Sequence, residues 1–217
     1  MKVIEIFSSI EGEGKRAGMP CTFIRLAGCN LRCTYCDTKY SYDETTAQEM
    51  TPKEIINQVK ELGIPMVTVT GGEPLIHKDV ELLLELLGKE GFLINVETNG
   101  SVNIRGKVNR LKYPSAFFTI DYKSPSSGMN DKMFLENIKA ARHCDVLKFV
   151  VGTQEDLDKA LEIIETHNPI AQIYFSPVWG QIEMAEIVDF MKAHKLYNCH
   201  IQVQLHKIIW DPEKRGV

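Results

Sequence analysis

The feature that most restricts the fold is an alternation of β-type and helical runs that continues along the whole chain. Apolar and β-branched residues predict strands at 2–7, 22–27, 66–70, 92–96, 117–120, 146–151, 171–175 and 201–205. Between them lie helical patterns. Thr51 and Pro52 form a helix start, Ile55, Ile56, Val59 and Leu62 recur at helical spacing, and Gly63 closes the segment. Further helices are expected at 78–89 and 133–142, around Leu157, Ala160, Leu161 and Ile164, and around Met184, Ile187, Val188 and Met191. Strands alternating with helices predict parallel βαβ units with right-handed crossovers. The expectation is an incomplete barrel of parallel strands with outer helices rather than a full eight-fold one.

Each distinctive polar stretch follows a strand: a cysteine-rich loop after residue 27, Gly71-Gly72-Glu73-Pro74, Glu97-Thr98-Asn99-Gly100, Asp121 to Pro125, and Ser176 to Trp179. In a parallel barrel these positions open onto one rim, where the active sites of barrel enzymes lie. The cysteine loop carries the most chemistry. Cys29, Cys33 and Cys36 fall within eight residues, so one short loop can turn three thiolates toward one point. Thiolates are soft ligands for zinc or for iron–sulfur clusters. No fourth ligand follows at zinc-finger spacing, and three cysteines around four irons would leave one iron open to a cofactor. A closed zinc site completed by Cys21, Cys144, Cys199 or a histidine is the competing reading. Those three cysteines sit in or beside apolar runs and are assigned no chemistry.

Composition narrows the class. At 44% hydrophobic and 25% charged residues, the chain reads as an ordinary globular protein of 217 residues. A net charge of −4 gives no electrostatic reason to expect nucleic acid or an anionic membrane as partner. No apolar run approaches the ~20 residues that span a bilayer. With no secretory signal evident, the expected location is the cytoplasm, where thiols stay reduced.

The three-cysteine loop together with Gly71-Gly72-Glu73-Pro74 resembles the radical S-adenosylmethionine superfamily. That resemblance implies a 4Fe-4S cluster whose open iron binds S-adenosylmethionine, reductive cleavage of the sulfonium, and a 5′-deoxyadenosyl radical. A narrower resemblance, carried by Ile6 to Gly14, Phe23-Ile24-Arg25, Cys36-Asp37-Thr38 and Gln204 to Trp210, is to the 7-carboxy-7-deazaguanine synthase family. It implies one radical SAM domain over residues 1–217 and ring contraction of 6-carboxy-5,6,7,8-tetrahydropterin with loss of ammonia, in queuosine or 7-deazapurine biosynthesis. A glycyl-radical activating enzyme shares the cysteine spacing, but Arg25, Thr38 and the tail from His206 to Val217 suit a small anionic substrate better.

By resemblance, Cys29, Cys33 and Cys36 ligate the cluster and Thr38 ligates Mg2+. Tyr35, Cys36, Asp37, Gly71, Gly72, Glu73, Asp121, Tyr122, Lys123, Ser176, Pro177, Val178 and Trp179 surround S-adenosylmethionine. Ile10, Glu11, Gly12, Glu13, Arg25, Thr70, His206 and Val217 hold the pterin, with Arg25 on its carboxylate. The resemblance also implies a homodimer and a flavodoxin or ferredoxin as electron donor. Two positions depart from the family pattern: Glu11 stands where glutamine is common, and Asp121-Tyr122 where Ser-Pro is common.

Overall fold

The first two strands, β1 (Lys2–Ile10) and β2 (Pro20–Leu26), pair antiparallel, with Phe7 opposite Phe23 and Ser9 opposite Cys21. The computed structural model describes residues 1–107 and 115–217. Its later elements are β3 (Gln48–Glu49), α1 (Pro52–Leu62), β4 (Met66–Gly71), α2 (Val80–Lys89), β5 (Leu93–Thr98), α3 (Ile104–Lys107), β6 (Ala116–Lys123) and α4 (Glu136–Ala140). They are followed by β7 (Val146–Val151), α5 (Gln154–His167), β8 (Gln172–Pro177), α6 (Met184–Ala193), β9 (Cys199–Ile201) and α7 (Leu205–Ile209). Among the described residues the strands form one sheet in the order β3-β1-β2-β4-β5-β6-β7-β8-β9. From β2 through β9 every neighbouring pair is parallel. The fold is α/β with a mostly parallel sheet, compatible with a partial TIM-like barrel and outer helices.

The parallel units begin at β2; the start of the chain is antiparallel. A connection of a few residues cannot return a strand in parallel, so β1 and β2 form a hairpin. β3 on its outer edge has only two residues and escapes a pattern search. The helix expected at 133–142 shrinks to α4: Met133 closes the preceding turn, and beyond Ala140 the chain turns extended and Arg142 N donates to Asp145 Oδ2 at 2.8 Å. The last strand ends at Ile201, and 205–209 is helical: Leu205 N–H reaches the Gly12 carbonyl at 3.0 Å and draws the chain off the sheet.

Helix α1 illustrates how local sequence fixes an element. Thr51 Oγ1 accepts from Glu54 N, the Glu54 carboxylate accepts from Thr51 N, Pro52 sits in the first turn, and Gly63 ends the helix left-handed. Its buried Ile55, Ile56 and Val59 join one continuous core with Leu83, Leu84 and Leu87 of α2, Leu157 and Ala160 of α5, and Ile187 of α6. Every second residue of the strands completes that core: Ile24 and Leu26, Val67 and Val69, Ile94 and Val96, Phe118 and Ile120, Leu147 and Phe149, Ile173 and Phe175.

Candidate active site

The alternate strand positions point to the face away from the helices, and there the sheet is polar. Arg25, Thr68, Thr70, Asn95, Glu97, Thr119, Asp121, Lys123, Lys148, Tyr174 and Ser176 occupy it by the period-two rule. Parallel strands are usually apolar on both faces, so a polar inner face marks where the fold departs from pure packing.

The cysteine loop leaves β2 at the rim and is fastened on two sides. Asn99 Nδ2 lies 3.6 Å from Cys29 Sγ and 3.0 Å from Asn30 Oδ1, while Thr34 binds the Ser126 and Ser127 carbonyls. Asp156 in turn holds that second loop, accepting from Ser126 N at 2.9 Å and from Gly152 N at 2.8 Å. Glu73 is fully buried and accepts from Leu75 N, Thr98 Oγ1 and Asn99 N at 2.9, 2.8 and 2.6 Å. Its carboxylate therefore joins the two loops after β4 and β5, and burial pushes it up to about 7.

Glycine is needed where the loops after β2 and β4 touch. Gly71 has φ of 141°, and a Cβ on Gly72 would collide with the Gly28 carbonyl and lie 2.9 Å from Cys29 Cβ. Backbone cannot step aside cheaply there. Gly72→Ala is expected to cost about 1–3 kcal/mol and loosen the cysteine loop, read as a lowered Tm and poorer iron retention. Unchanged values would mean that the loops separate freely.

On the other side of the rim, Lys123 Nζ lies 2.6 Å from Asp121 Oδ2, and Lys148 Nζ lies 3.0 Å from both Asp121 Oδ1 and Glu13 Oε2. Ser176 Oγ donates to Glu13 Oε1 at 2.9 Å. Tyr122 points the other way, its ring 5.3 Å from Phe149 in the core, so its side chain does not join Asp121 and Lys123. Pro177 and Val178 are buried beside Ser176, whereas Trp179 is exposed, with Lys207 Nζ 5.9 Å from its ring. Lys207 also pairs with Asp37 at 3.4 Å, which draws α7 toward the cysteine loop. Thr38 Oγ1 donates to Asp37 at 2.9 Å.

The residues expected around the pterin are divided between the β1–β2 loop, which α7 approaches, and the far end of β2, where Arg25 faces Glu5. A Cβ on Gly12 would overlap His206 Nδ1, so glycine admits the imidazole there; burial lowers that imidazole's affinity for a proton. Arg25 does have an internal partner: its Nε lies 2.7 Å from Glu5 Oε1, which also accepts from the Tyr40 hydroxyl at 2.9 Å. Arg215 lies 3.9 Å from the Tyr40 ring, and Gly216 sits beside Glu5, with half-buried Val217 following it. Thr70, in register with Arg25, donates to Glu97 at 3.1 Å. Ile10 ends β1 opposite Pro20. Glu11 turns a buried side chain to Thr68 Oγ1, while its backbone N–H and carbonyl are engaged by Met19 and Gly18.

Glu97 supplies a pH signature. Burial, countered by Lys148 and reinforced by Glu11, Glu13 and Asp121, pushes its carboxyl up from 4.5 to about 7. Between those values the folded protein holds a proton that the unfolded chain has lost, so stability falls as pH rises through the window. Glu97→Gln is expected to flatten the Tm profile between about pH 5 and 8, leaving the part due to Glu73. An unchanged slope would refute the assignment.

Comparison with known proteins accounts for this arrangement. Residues 23–166 match the model of the Radical SAM superfamily. A 7-carboxy-7-deazaguanine synthase of Clostridium acetobutylicum is 48% identical over 220 residues, covering 100% of this chain and 99% of the relative. The chain belongs to the 7-carboxy-7-deazaguanine synthase family. Another member, from Chlorobaculum tepidum, is 38% identical over 222 residues, covering 100% of this chain and 97% of the relative. The crystal structure of QueE from Escherichia coli shares the fold at TM-score 0.76 and 24% identity, covering 94% of this chain and 93% of that one.

Membership in the synthase family within the Radical SAM superfamily implies a 4Fe-4S cluster and S-adenosylmethionine, and the donor set fits them. Cys29, Cys33 and Cys36 lie on one rim loop, each half-buried and free. Among the described residues no three His, Cys, Asp or Glu side chains are gathered for a single metal ion. Cys21 is buried against Thr68, Cys144 is exposed rather than packed in an apolar run, and Cys199 lies in β9. No helix among the described residues is long and apolar enough to cross a membrane. Sequence reading missed Glu5, Tyr40, Lys148, Asp156 and Lys207, and gave Glu97 and Asn99 no role; their signals are partners far away in sequence.

Proposed function

We propose that this enzyme converts 6-carboxy-5,6,7,8-tetrahydropterin to 7-carboxy-7-deazaguanine with release of ammonia, in queuosine or a related 7-deazapurine pathway. The observation that carries the reading is the full-length likeness to synthases of that name, joined to a polar inner face on which Arg25 of β2 and Thr70 of β4 stand in register. We assign Cys29, Cys33 and Cys36 to the cluster and Thr38 to Mg2+, a cation that takes few protein oxygens and completes its shell with water and substrate. When bound, the cluster and S-adenosylmethionine supply the one-electron and hydrogen-abstraction chemistry.

The chain's own groups bind and orient. The backbone at half-buried Gly72 and around Tyr35-Cys36-Asp37 is assigned to the zwitterionic end of S-adenosylmethionine. Glu73, already accepting three hydrogen bonds, holds that backbone in place. Asp121, Lys123 and Ser176 to Trp179 flank the adenosyl side, with Tyr122 contributing backbone. Arg25 receives the pterin carboxylate and exchanges part of its contact with Glu5 for it. Thr70, His206, Val217 and the backbone of Ile10 to Gly12 frame the ring, with Glu13 behind them. We further propose that the 217 residues act as one domain in a cytoplasmic homodimer reduced by a flavodoxin or ferredoxin.

The test is anaerobic incubation of iron-reconstituted protein with S-adenosylmethionine, Mg2+, a reductant and the carboxylated pterin. Formation of the deazapurine by mass is expected. Sulfonium cleavage without it would leave the superfamily chemistry and remove the substrate.

A further inference from the structure

Lys148 has no part in the roles assigned so far. It sits in the middle of β7 with its side chain 8% exposed, and its ammonium bridges Glu13 Oε2 and Asp121 Oδ1 at 3.0 Å each. These carboxylates belong to different parts of the site, Glu13 to the pterin-side hairpin and Asp121 to the strand end beside S-adenosylmethionine. Their outer oxygens are held by Ser176 at 2.9 Å and Lys123 at 2.6 Å. A continuous chain of polar contacts thus runs from β8 through the hairpin and β7 to β6. Other groups facing it are Glu97 from β5 and His206 from α7. Without Lys148, Asp121 would keep Lys123 but Glu13 would keep only the Ser176 hydroxyl, and stranding buried charge is costly.

We propose that Lys148 is a positioning residue that ties the pterin-side loop to the S-adenosylmethionine-side strand and so sets the spacing of the two bound molecules. The proposal rests on the ligand assignments above. With the ammonium removed, Glu13 and Asp121 repel and the hairpin withdraws.

Wild type is compared with Lys148→Met, Lys148→Arg and the double variant Lys148→Met/Glu13→Gln. Amide hydrogen exchange on the cluster-loaded, substrate-free protein reads the tie directly, because Gly14 N–H is protected by Gln202 Oε1 at 2.8 Å. Lys148→Met is expected to speed exchange there by at least about 10-fold, and Lys148→Arg far less. Unchanged exchange overturns the tie, whatever the substrate. In turnover, Lys148→Met should raise KM for the carboxylated pterin by at least about 10-fold. The acid limb of kcat/KM should move to higher pH, because Glu13 loses the cation that keeps it ionised. Wild-type KM and an unmoved limb would refute the role in spacing. Should Lys148→Met fail to fold, the double variant, relieved of one stranded carboxylate, is expected to show the raised KM with the Glu13 limb absent. A wild type that makes no deazapurine, alongside faster exchange in Lys148→Met, supports the tie and removes the substrate assignment.

Discussion

Replacing Cys33 by alanine is expected to give a folded protein that retains no 4Fe-4S cluster and turns over no substrate. Two thiolates in place of three leave the cluster short of ligands, and Cys21, Cys144 and Cys199 lie at or just before the starts of β2, β7 and β9, whereas the cysteine loop follows a strand end. The fold should survive, because the loop is secured by contacts that do not use the Cys33 sulfur. Thr34 binds the Ser126 and Ser127 carbonyls, and Asn99 binds Asn30 and Cys29. Iron analysis after anaerobic reconstitution should fall from about four per chain to near zero while circular dichroism is unchanged. Iron retained at the wild-type level, or turnover without it, would refute the assignment of all three cysteines.

Replacing Arg25 by alanine should weaken the carboxylated pterin by roughly 2–5 kcal/mol, a loss on the order of 30- to several-thousand-fold in Kd. Binding of S-adenosylmethionine should change little. The guanidinium is held by Glu5 at 2.7 Å, with side chains only 16% and 23% exposed, so it meets an incoming carboxylate already desolvated and oriented. Part of the loss is stability, since Glu5 would keep only the Tyr40 hydroxyl. A Tm measured beside the two Kd values separates that share. Equal weakening of both ligands would show that Arg25 supports the whole site rather than contacting the pterin.

Fold and site were legible to different depths. Capping at Thr51, helical spacing and the β-branched runs are local signals, and local propensity decided most elements. The direction of β1 against β2 was not legible, because a strand's composition does not state it; only the pairing of Phe7 with Phe23 does. The isoleucines at 208 and 209 look β-forming, yet both are largely exposed on α7, where contact with Gly12 governs the backbone. The cysteine loop and the glycines after β4 could be found because their chemistry is packed into a few consecutive residues. Lys148 could not. Within Val146 to Val151 it is one polar residue in an apolar strand, and its meaning comes from Glu13, 135 positions away. Arg25 was visible as an anomaly, but whether Glu5 or a ligand answers it depends on register across β1 and β2.

The contact between the hairpin loop and the segment leading into α7 also orders events during synthesis. Gly14 and Gln202 meet although 188 residues apart, and Leu205 closes on Gly12. A chain leaving the ribosome amino end first can pair β1 with β2 early, but that loop waits for its cover until residues 202–205 have been made. Closing so large a ring carries an entropy cost that grows with the logarithm of its length. The junction between the hairpin loop and α7 is therefore expected to mature late, and a ribosome stalled before residue 202 would display the β1–β2 loop without its cover.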